Sequence, residues 1–334
     1  MKALTYRASD DQFILKQLPM PRIETEWDVI VKVDAAALNP VDAKIHLWKS
    51  MVTEMDDNFV GGLDVAGEIV AVGEKVIEWS VGDRVLYHGN MRRSQGGFAQ
   101  YAVHDSRTLI EHPDVSSIVA AATPCAGWTA WNALVDKLDI INRESIFIAG
   151  GSGGVGSFAI QLAKHYKVPT IITTCSEKNH DFVTKLGATH CIDYRSADVA
   201  QLVTDITKGN GVDVALDCVG GDNDILCSKV LGYQGHMVEL VQNVRPQAYD
   251  DVFLRGLSFH QLSLGSGHVN HRKGRNSIVS AGNAFNLLLE QGEVIVPQLE
   301  VINLESAAEV LTKIRQQRTV GKVVISFDQA GSRI

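Results

Sequence analysis

Seven residues, Gly150-Gly151-Ser152-Gly153-Gly154-Val155-Gly156, constrain this chain more than any others. They follow a short apolar run, Ile146-Phe147-Ile148-Ala149. They precede a stretch from Val155 to Tyr166 whose apolar spacing reads as a helix. The turn contains G-x-G-x-x-G at Gly151, Gly153 and Gly156. The first glycine permits a tight turn, the second lets the backbone approach a pyrophosphate, and the third lets helix and strand pack closely. Ser152, Gly154 and Val155 belong to the same cradle, because a helix N-terminus offers free N–H groups to phosphate oxygens. Such a turn is common in isolation; between an apolar strand and a helix it marks a dinucleotide site.

The rhythm around the turn agrees. Thr170–Thr173, Cys191–Asp193, Val212–Leu216 and His236–Leu240 read as further apolar strands, with a helix over Asp181–Leu186. Apolar strands alternating with helices predict a parallel sheet covered on both faces, an α/β doubly wound fold. The first third reads as β: Val29–Asp34, Val65–Gly73, Gly82–Leu86 and Phe98–Val103 are short strands between glycine turns, the pattern of a small barrel. Ser277–Glu290 and Glu305–Gln317 read as helices, and Lys322–Ser326 as a closing strand suited to return to the first domain. A length of 334 residues also favours two domains.

Composition removes several function classes. The net charge is −8, so the broad positive field that nucleic-acid backbones require is missing. The short basic run Arg272-Lys273-Gly274-Arg275 reads as a solvated loop. No apolar run is long enough to span a bilayer, and the N-terminus turns polar at once, which together point to the cytoplasm. Five scattered cysteines without a C-x-x-C pair read as reduced thiols, not a disulfide or zinc framework.

Ribose recognition is expected about 20 residues beyond the turn, at the end of the second strand. An NAD site places Asp or Glu there. This chain has neutral Thr174, followed by Ser176 and Lys178, and Lys178 can pair with a 2′-phosphate as a point charge. Tyr194, just past the third strand, is a further donor. The set points to NADPH, although Glu177 is a carboxylate in the same loop.

Together these residues resemble the medium-chain dehydrogenase/reductase superfamily, and within it the zinc-free quinone oxidoreductase group. The resemblance is carried by Asn39-Pro40-Val41-Asp42, Gly62-Leu63-Asp64-Val65-Ala66-Gly67, Val81-Gly82-Asp83-Arg84-Val85, Gly97-Phe98-Ala99-Gln100-Tyr101, Ala126-Gly127-Trp128-Thr129-Ala130 and the glycine turn, in that order. It implies a GroES-like catalytic domain over residues 1–125, a Rossmann NADP-binding domain over 126–268, and a return to the catalytic domain over 269–334, with the cofactor in the cleft. It further implies that Asn39 and Asp42 are catalytic, that Thr129 holds the carboxamide, that Val219 joins the cofactor-binding residues, and that Lys322 reaches the pyrophosphate.

Zinc members of the superfamily bind metal through Cys, His or Glu, and Cys. The matching places here look like Asn39, Leu63 and Ala122, which are poor or impossible zinc ligands. His268 and His271 read as part of a polar loop. No metal is therefore expected. Without a Lewis acid, the expected chemistry is hydride transfer to a conjugated acceptor, a quinone or an α,β-unsaturated carbonyl. A 2-alkenal reductase and a non-catalytic NADPH-binding protein are the alternatives. Many relatives carry a tyrosine two residues after the aspartate; Lys44 stands there, which weakens the case for enoyl-thioester reduction. A homodimer is expected, paired along the edge strand Leu257–Leu262. Loops from Trp48 to Phe59 and Val241 to Phe253 are expected to shape the acceptor pocket.

Overall fold

The computed structural model describes residues 1–52, 55–316 and 320–327. Two compact units divide the chain. One comprises Ala126–Leu264 and Gly292–Pro297; the other comprises Met1–Cys125, Gly265–Gln291 and the stretch from Gln298.

The first of these is the doubly wound sheet. Its strands lie in the order His190–Asp193, Thr170–Cys175, Ser145–Ala149, Val212–Asp217, Leu231–Glu239, Ser258–Gln261, and every neighbouring pair is parallel. Ile146 to Ala149, at the centre, are fully buried, as a strand covered on both faces must be. Helices Gly154–His165, His180–Leu186, Val199–Ile206 and Asn223–Val230 connect the strands. The last two lie outside the helices expected above. Val199–Ile206 is capped by Asp198, whose carboxylate accepts from Gln201 N–H at 3.1 Å, and buries Val199, Ala200 and Val203 at helical spacing. Asn223–Val230 buries Asp224 and Ser228 beside Cys227, and those polar residues hide its apolar period. Because all six strands are parallel, the loops after them gather along one edge of the sheet, where ligands bind in such folds.

The second unit is mainly antiparallel. A seven-stranded sheet is built around Asp28–Leu38, which pairs with Asp64–Val72, Tyr101–Asp105 and Lys322–Ser326. A three-stranded sheet pairs Lys2–Arg7 with Gln12–Gln17 and Phe59–Val60. The expected strand Phe98–Val103 is divided between the two sheets. Phe98 C=O accepts from Leu4 N–H (2.8 Å) and Gln100 N–H donates to Lys2 C=O (3.1 Å), whereas Tyr101–Asp105 pairs with Asp28–Lys32. A chain that changes sheets is how such an architecture turns a corner.

Two expectations fail here. The basic run Arg272–Arg275 is not a loop; it forms the opening of helix His271–Glu290, where Gly274 packs against Gly267 at a distance a Cβ would not allow. His268 does not sit in a polar loop either: its ring lies 6.0 Å from that of His88 and 5.5 Å from that of His104, and its Nε2 meets His88 C=O at 2.9 Å. Trp48 and Phe59, at the ends of one loop expected to shape the acceptor pocket, pack edge to face 6.3 Å apart in a cluster with Tyr6, Ile45, Val52 and Leu63. Thr53 and Glu54 of that loop, and Gln317 of the C-terminal helix, lie outside the described residues. Among the described residues no helix is long and apolar enough to cross a membrane.

Candidate cofactor and catalytic sites

The glycine turn has the geometry its sequence demands. Gly150 adopts a φ of +81°. A Cβ on Gly151 would fall 2.1 Å from Thr173 Oγ1, and one on Gly156 would fall 2.4 Å from Gly150 O and 2.8 Å from Gly151 Cα. A Cβ on Gly153 would meet only Gly150 O, at 3.4 Å. Two glycines are thus forced by the fold itself, while the third leaves open space. That open face is what a pyrophosphate approaching the N-terminus of Gly154–His165 requires. Ser152, Gly154 and Val155 lie on the same turn and first helical residues.

The neighbouring strand braces it through the side chain and the backbone of Thr174. Gly150 N–H donates to Thr174 Oγ1 (3.1 Å) and Gly151 N–H to Thr174 C=O (3.0 Å). Thr174 is buried, so the residue expected to read the ribose also holds the turn. Asn179 Nδ2 donates to Ser176 Oγ (3.1 Å) and Ser152 Oγ (3.3 Å), tying the ribose loop to the phosphate turn. Asp193 accepts from Glu177 N–H (3.3 Å) and Arg195 N–H (3.0 Å), joining the loop that carries Lys178 to the one that carries Tyr194. Lys178 is exposed and Tyr194 is 56% exposed. Neither Asn179 nor Asp193 stands out in the sequence; each acts by holding backbone that other residues use.

Further along the same edge, Asp217 Oδ1 accepts from Val219 N–H (2.8 Å) and Gly220 N–H (3.0 Å). Glu239 Oε1 accepts from Val241 N–H (2.6 Å) and Gln242 N–H (2.9 Å). Both carboxyls are fully buried. Burial first, and then the neighbouring Asp217, push the Glu239 carboxyl up to about 8. Burial thus favours the protonated form of Glu239, and the backbone bonds to the two carboxyls fix two loops, including Val219. Thr129, also buried, opens a short α-helical turn between π-helical turns.

In the other unit, Asn39 ends the long strand and caps helix Pro40–Ala43. Asp42 Oδ2 accepts from Asn39 N–H (2.9 Å) and from its side-chain amide (3.2 Å). The same amide donates to Asp64 Oδ2 (2.9 Å), and Asn39 Oδ1 accepts from Lys322 Nζ. Asp64 Oδ1 accepts from Cys125 N–H (2.9 Å), and the Lys322 ammonium lies 3.7 Å from Asp64 Oδ2. Asn39 is thus spent on two carboxylates and an ammonium. Lys322, expected at the pyrophosphate, is 4% exposed and directs its charge into this centre. Burial pushes Asp42 up to about 7, helped by the charge of Asp64, and Asp42 Oδ1 has no hydrogen-bond partner. Burial likewise raises Asp64 to about 6. Lys44 caps the end of Pro40–Ala43 and is half-buried.

The family fold raises the question of a metal. The matching places Leu63 and Ala122 bring no donor, but Asp64, His88 and Cys125 place ligand atoms within 4.8 Å of one another. These are donor types that zinc accepts. As it stands the set does not fit the ion. Both Asp64 oxygens are engaged and an ammonium already faces them. Burial holds the Cys125 thiol well above its ordinary value, so it keeps its proton.

Comparison with known proteins agrees with both units. Residues 25–114 match the alcohol dehydrogenase GroES-like domain and residues 154–272 the zinc-binding dehydrogenase family. A trans-enoyl reductase, himH, of Aspergillus japonicus is 31% identical over 91% of this chain and 90% of its own length. A chloroplast envelope quinone oxidoreductase homolog of Arabidopsis thaliana is 36% identical over 61% of this chain. An NADPH-dependent alkenal/one oxidoreductase of the same plant is 33% identical over 75% of it. The chain spans less than two thirds of these two plant proteins, 63% and 64%. An alcohol dehydrogenase superfamily protein of Novosphingobium aromaticivorans superposes with a TM-score of 0.83 at 25% identity, covering 98% of this chain and all of that one.

Proposed function

This chain belongs to the medium-chain dehydrogenase/reductase superfamily, in its quinone oxidoreductase-like group, and we propose that it passes hydride from NADPH to a conjugated carbonyl acceptor without zinc. The observation that carries this reading is the turn: Gly151 and Gly156 are walled in and Gly153 faces open space, a cradle for a dinucleotide pyrophosphate. Neutral Thr174 and exposed Lys178 at the ribose end favour the 2′-phosphate of NADPH over NADH. The bound dinucleotide supplies the hydride. The chain supplies position, through Ser152, Gly154, Val155, Ser176, Tyr194, Val219 and Thr129, and a buried polar centre in which Asp42 holds a proton near neutral pH. Asn39 enters as a positioning residue, because its amide is engaged by Asp42, Asp64 and Lys322, and Asp42 keeps Oδ1 without a partner for a proton or a substrate group.

The acceptor class is a quinone or an α,β-unsaturated carbonyl. Lys44 stands where many relatives carry a tyrosine, while the similarity to a trans-enoyl reductase supports enoyl thioesters as further candidate acceptors. Steady-state NADPH oxidation against a panel of quinones, enones, 2-alkenals and enoyl thioesters tests the reading. Turnover with at least one conjugated acceptor, and none with a saturated ketone, is expected. Tight NADPH binding with no turnover on any of them would favour the non-catalytic binding protein. That alternative gains from the full engagement of the Asn39 side chain. We also propose a homodimer, since Ser258–Gln261 lies at the sheet edge; a monomer by light scattering would remove that part.

A further inference from the structure

Asp217 and Glu239 are register partners in neighbouring parallel strands, so their side chains leave the same face of the sheet. One oxygen of each is spent on the loop that follows it. The other, Asp217 Oδ2 and Glu239 Oε2, is buried with no hydrogen-bond partner. Two bare carboxylate oxygens in a dry interior call for an explanation. Among the described residues, the titratable groups that face the pair bring it no cation. They are Cys218, Cys227 and Asp224 on helix Asn223–Val230, and Tyr249. Burial keeps both thiols and the phenol protonated, and Arg245 is engaged by Asp222 and Asp224. A single proton between the two carboxyls satisfies both oxygens, as where like charges share a buried site.

The loops that hang from these carboxyls reach the dinucleotide cradle. Strand Val212–Asp217 lies on one side of Ser145–Ala149, and Thr170–Cys175, with the ribose-end residues, lies on the other. Val219 packs on the glycine turn, since a Cβ on Gly150 would fall 2.6 Å from Val219 Cγ2. A Cβ on Gly220, whose φ is +80°, would fall 2.7 Å from Val241 Cγ1. Gln242 Nε2 donates to Gly221 C=O at 2.6 Å, so the two loops interlock. Val219 and Val241 nonetheless stay 39% and 42% exposed, apolar surface left beside the turn.

We propose that Asp217 and Glu239 are positioning residues for the nicotinamide half of the dinucleotide, and that one proton shared between them locks the Val219 and Val241 loops beside the glycine turn. When that proton leaves for solvent, two carboxylates stand ionised without a counter-cation and the loops that hang from them part. The bound form needs the proton, so affinity falls as pH rises through the value of Glu239, about 8. The inference rests on the dinucleotide reading and is indifferent to the acceptor.

The test is calorimetric binding of NADPH and of adenosine 2′,5′-bisphosphate to the full-length protein at pH 7 and pH 9.5. The bisphosphate carries the ribose-end groups and lacks the nicotinamide half. Dividing the NADPH affinity by the bisphosphate affinity therefore removes what Lys178 and the 2′-phosphate contribute. For wild type this ratio is expected to fall about tenfold or more between the two pH values. Glu239→Gln can donate to Asp217 and cannot ionise, so it is expected to hold its ratio. Asp217→Asn can still accept from Val219 and Gly220 N–H and donate to Glu239; it carries the same expectation if the glutamine variant does not fold. A ratio that is flat in wild type, or that falls equally in a folded variant, would overturn the inference alone. Absence of NADPH binding by wild type at pH 7 would overturn the dinucleotide reading with it.

Discussion

The glycine turn and the buried polar centre both manage charge away from water, and they do it in opposite ways. The turn receives charge from outside. Its atoms are backbone N–H groups within seven consecutive residues, and its requirement is emptiness at Gly153 and closeness at Gly151 and Gly156. The centre carries its own charge. Its atoms are side chains of Asn39, Asp42, Asp64 and Lys322, with Lys322 283 residues from Asn39, and its requirement is mutual satisfaction. A local device tolerates almost any surrounding sequence; a non-local one depends on every member. Each of the following changes breaks one side of that contrast.

The largest effect is expected within the turn. Gly156→Val drives a side chain into Gly150 O and Gly151 Cα and should cost about 3 kcal/mol of stability or abolish folding. Gly153→Ala should leave the thermal midpoint within a few degrees of wild type while weakening dinucleotide binding at least about tenfold, because its Cβ fills space meant for phosphate. Calorimetry for the first and fluorescence titration with NADPH for both would check the pair. Equal loss of stability in the two variants would refute the division between walled and open glycines.

Next comes the ribose end. Lys178→Glu should weaken NADPH binding about 10- to 100-fold and NADH binding little, by replacing an attractive charge with a repulsive one. Parallel titrations decide it; equal effects on the two dinucleotides would end the NADPH assignment.

The buried carboxyls give smaller, pH-dependent effects. Asp42 in the folded chain holds its proton up to about 7, against an ordinary carboxyl near 3.8. Between those values the folded state binds more protons than the unfolded one, so stability falls as pH rises from about 4 to about 7 and then levels. Asp42→Asn keeps an acceptor for Asn39 N–H and cannot ionise, so it should flatten this dependence. At pH 8 it should stabilise the chain by on the order of 1–3 kcal/mol relative to wild type. Unfolding in urea at pH 5 and pH 8 measures the difference.

Glu239→Gln is the counterpart in the sheet unit. Glutamine mimics the protonated acid and can donate to Asp217, so stability should match wild type near pH 5. It should exceed wild type by about 1 kcal/mol above pH 8, where Glu239 ionises beside Asp217. A variant less stable at pH 9 than at pH 5, to the same degree as wild type, would show that the shared proton lies elsewhere.

The same contrast explains what the sequence discloses. The parallel sheet, the turn and the closing strand Lys322–Ser326 are legible because each rests on local pattern: apolar runs, glycines at fixed spacing, alternation. The helix over Asn223–Val230 is not, because it buries Asp224 against Arg245 and Tyr249, partners about 20 residues away that no local period reveals. The centre is half legible. Asn39, Asp42 and Lys322 are marked by resemblance, but their roles are not, since a lysine side chain on a strand end carries no sign of which neighbour it meets. Cys125 and His88 are invisible as donors: one lies three residues from the place where a ligand is sought, and the other sits at the end of an ordinary strand. Trp48 and Phe59, at the ends of one expected acceptor loop, also pack in the core, a placement their apolar side chains do not distinguish in the sequence.

The central claim, reduction by NADPH at a centre whose cation is Lys322 and not zinc, is tested most directly by measuring NADPH oxidation with a conjugated acceptor before and after exhaustive chelation. The account predicts unchanged turnover after chelation, no gain on adding Zn²⁺, and weaker turnover with NADH. Activity that disappears with the chelator and returns with one equivalent of Zn²⁺ would contradict it.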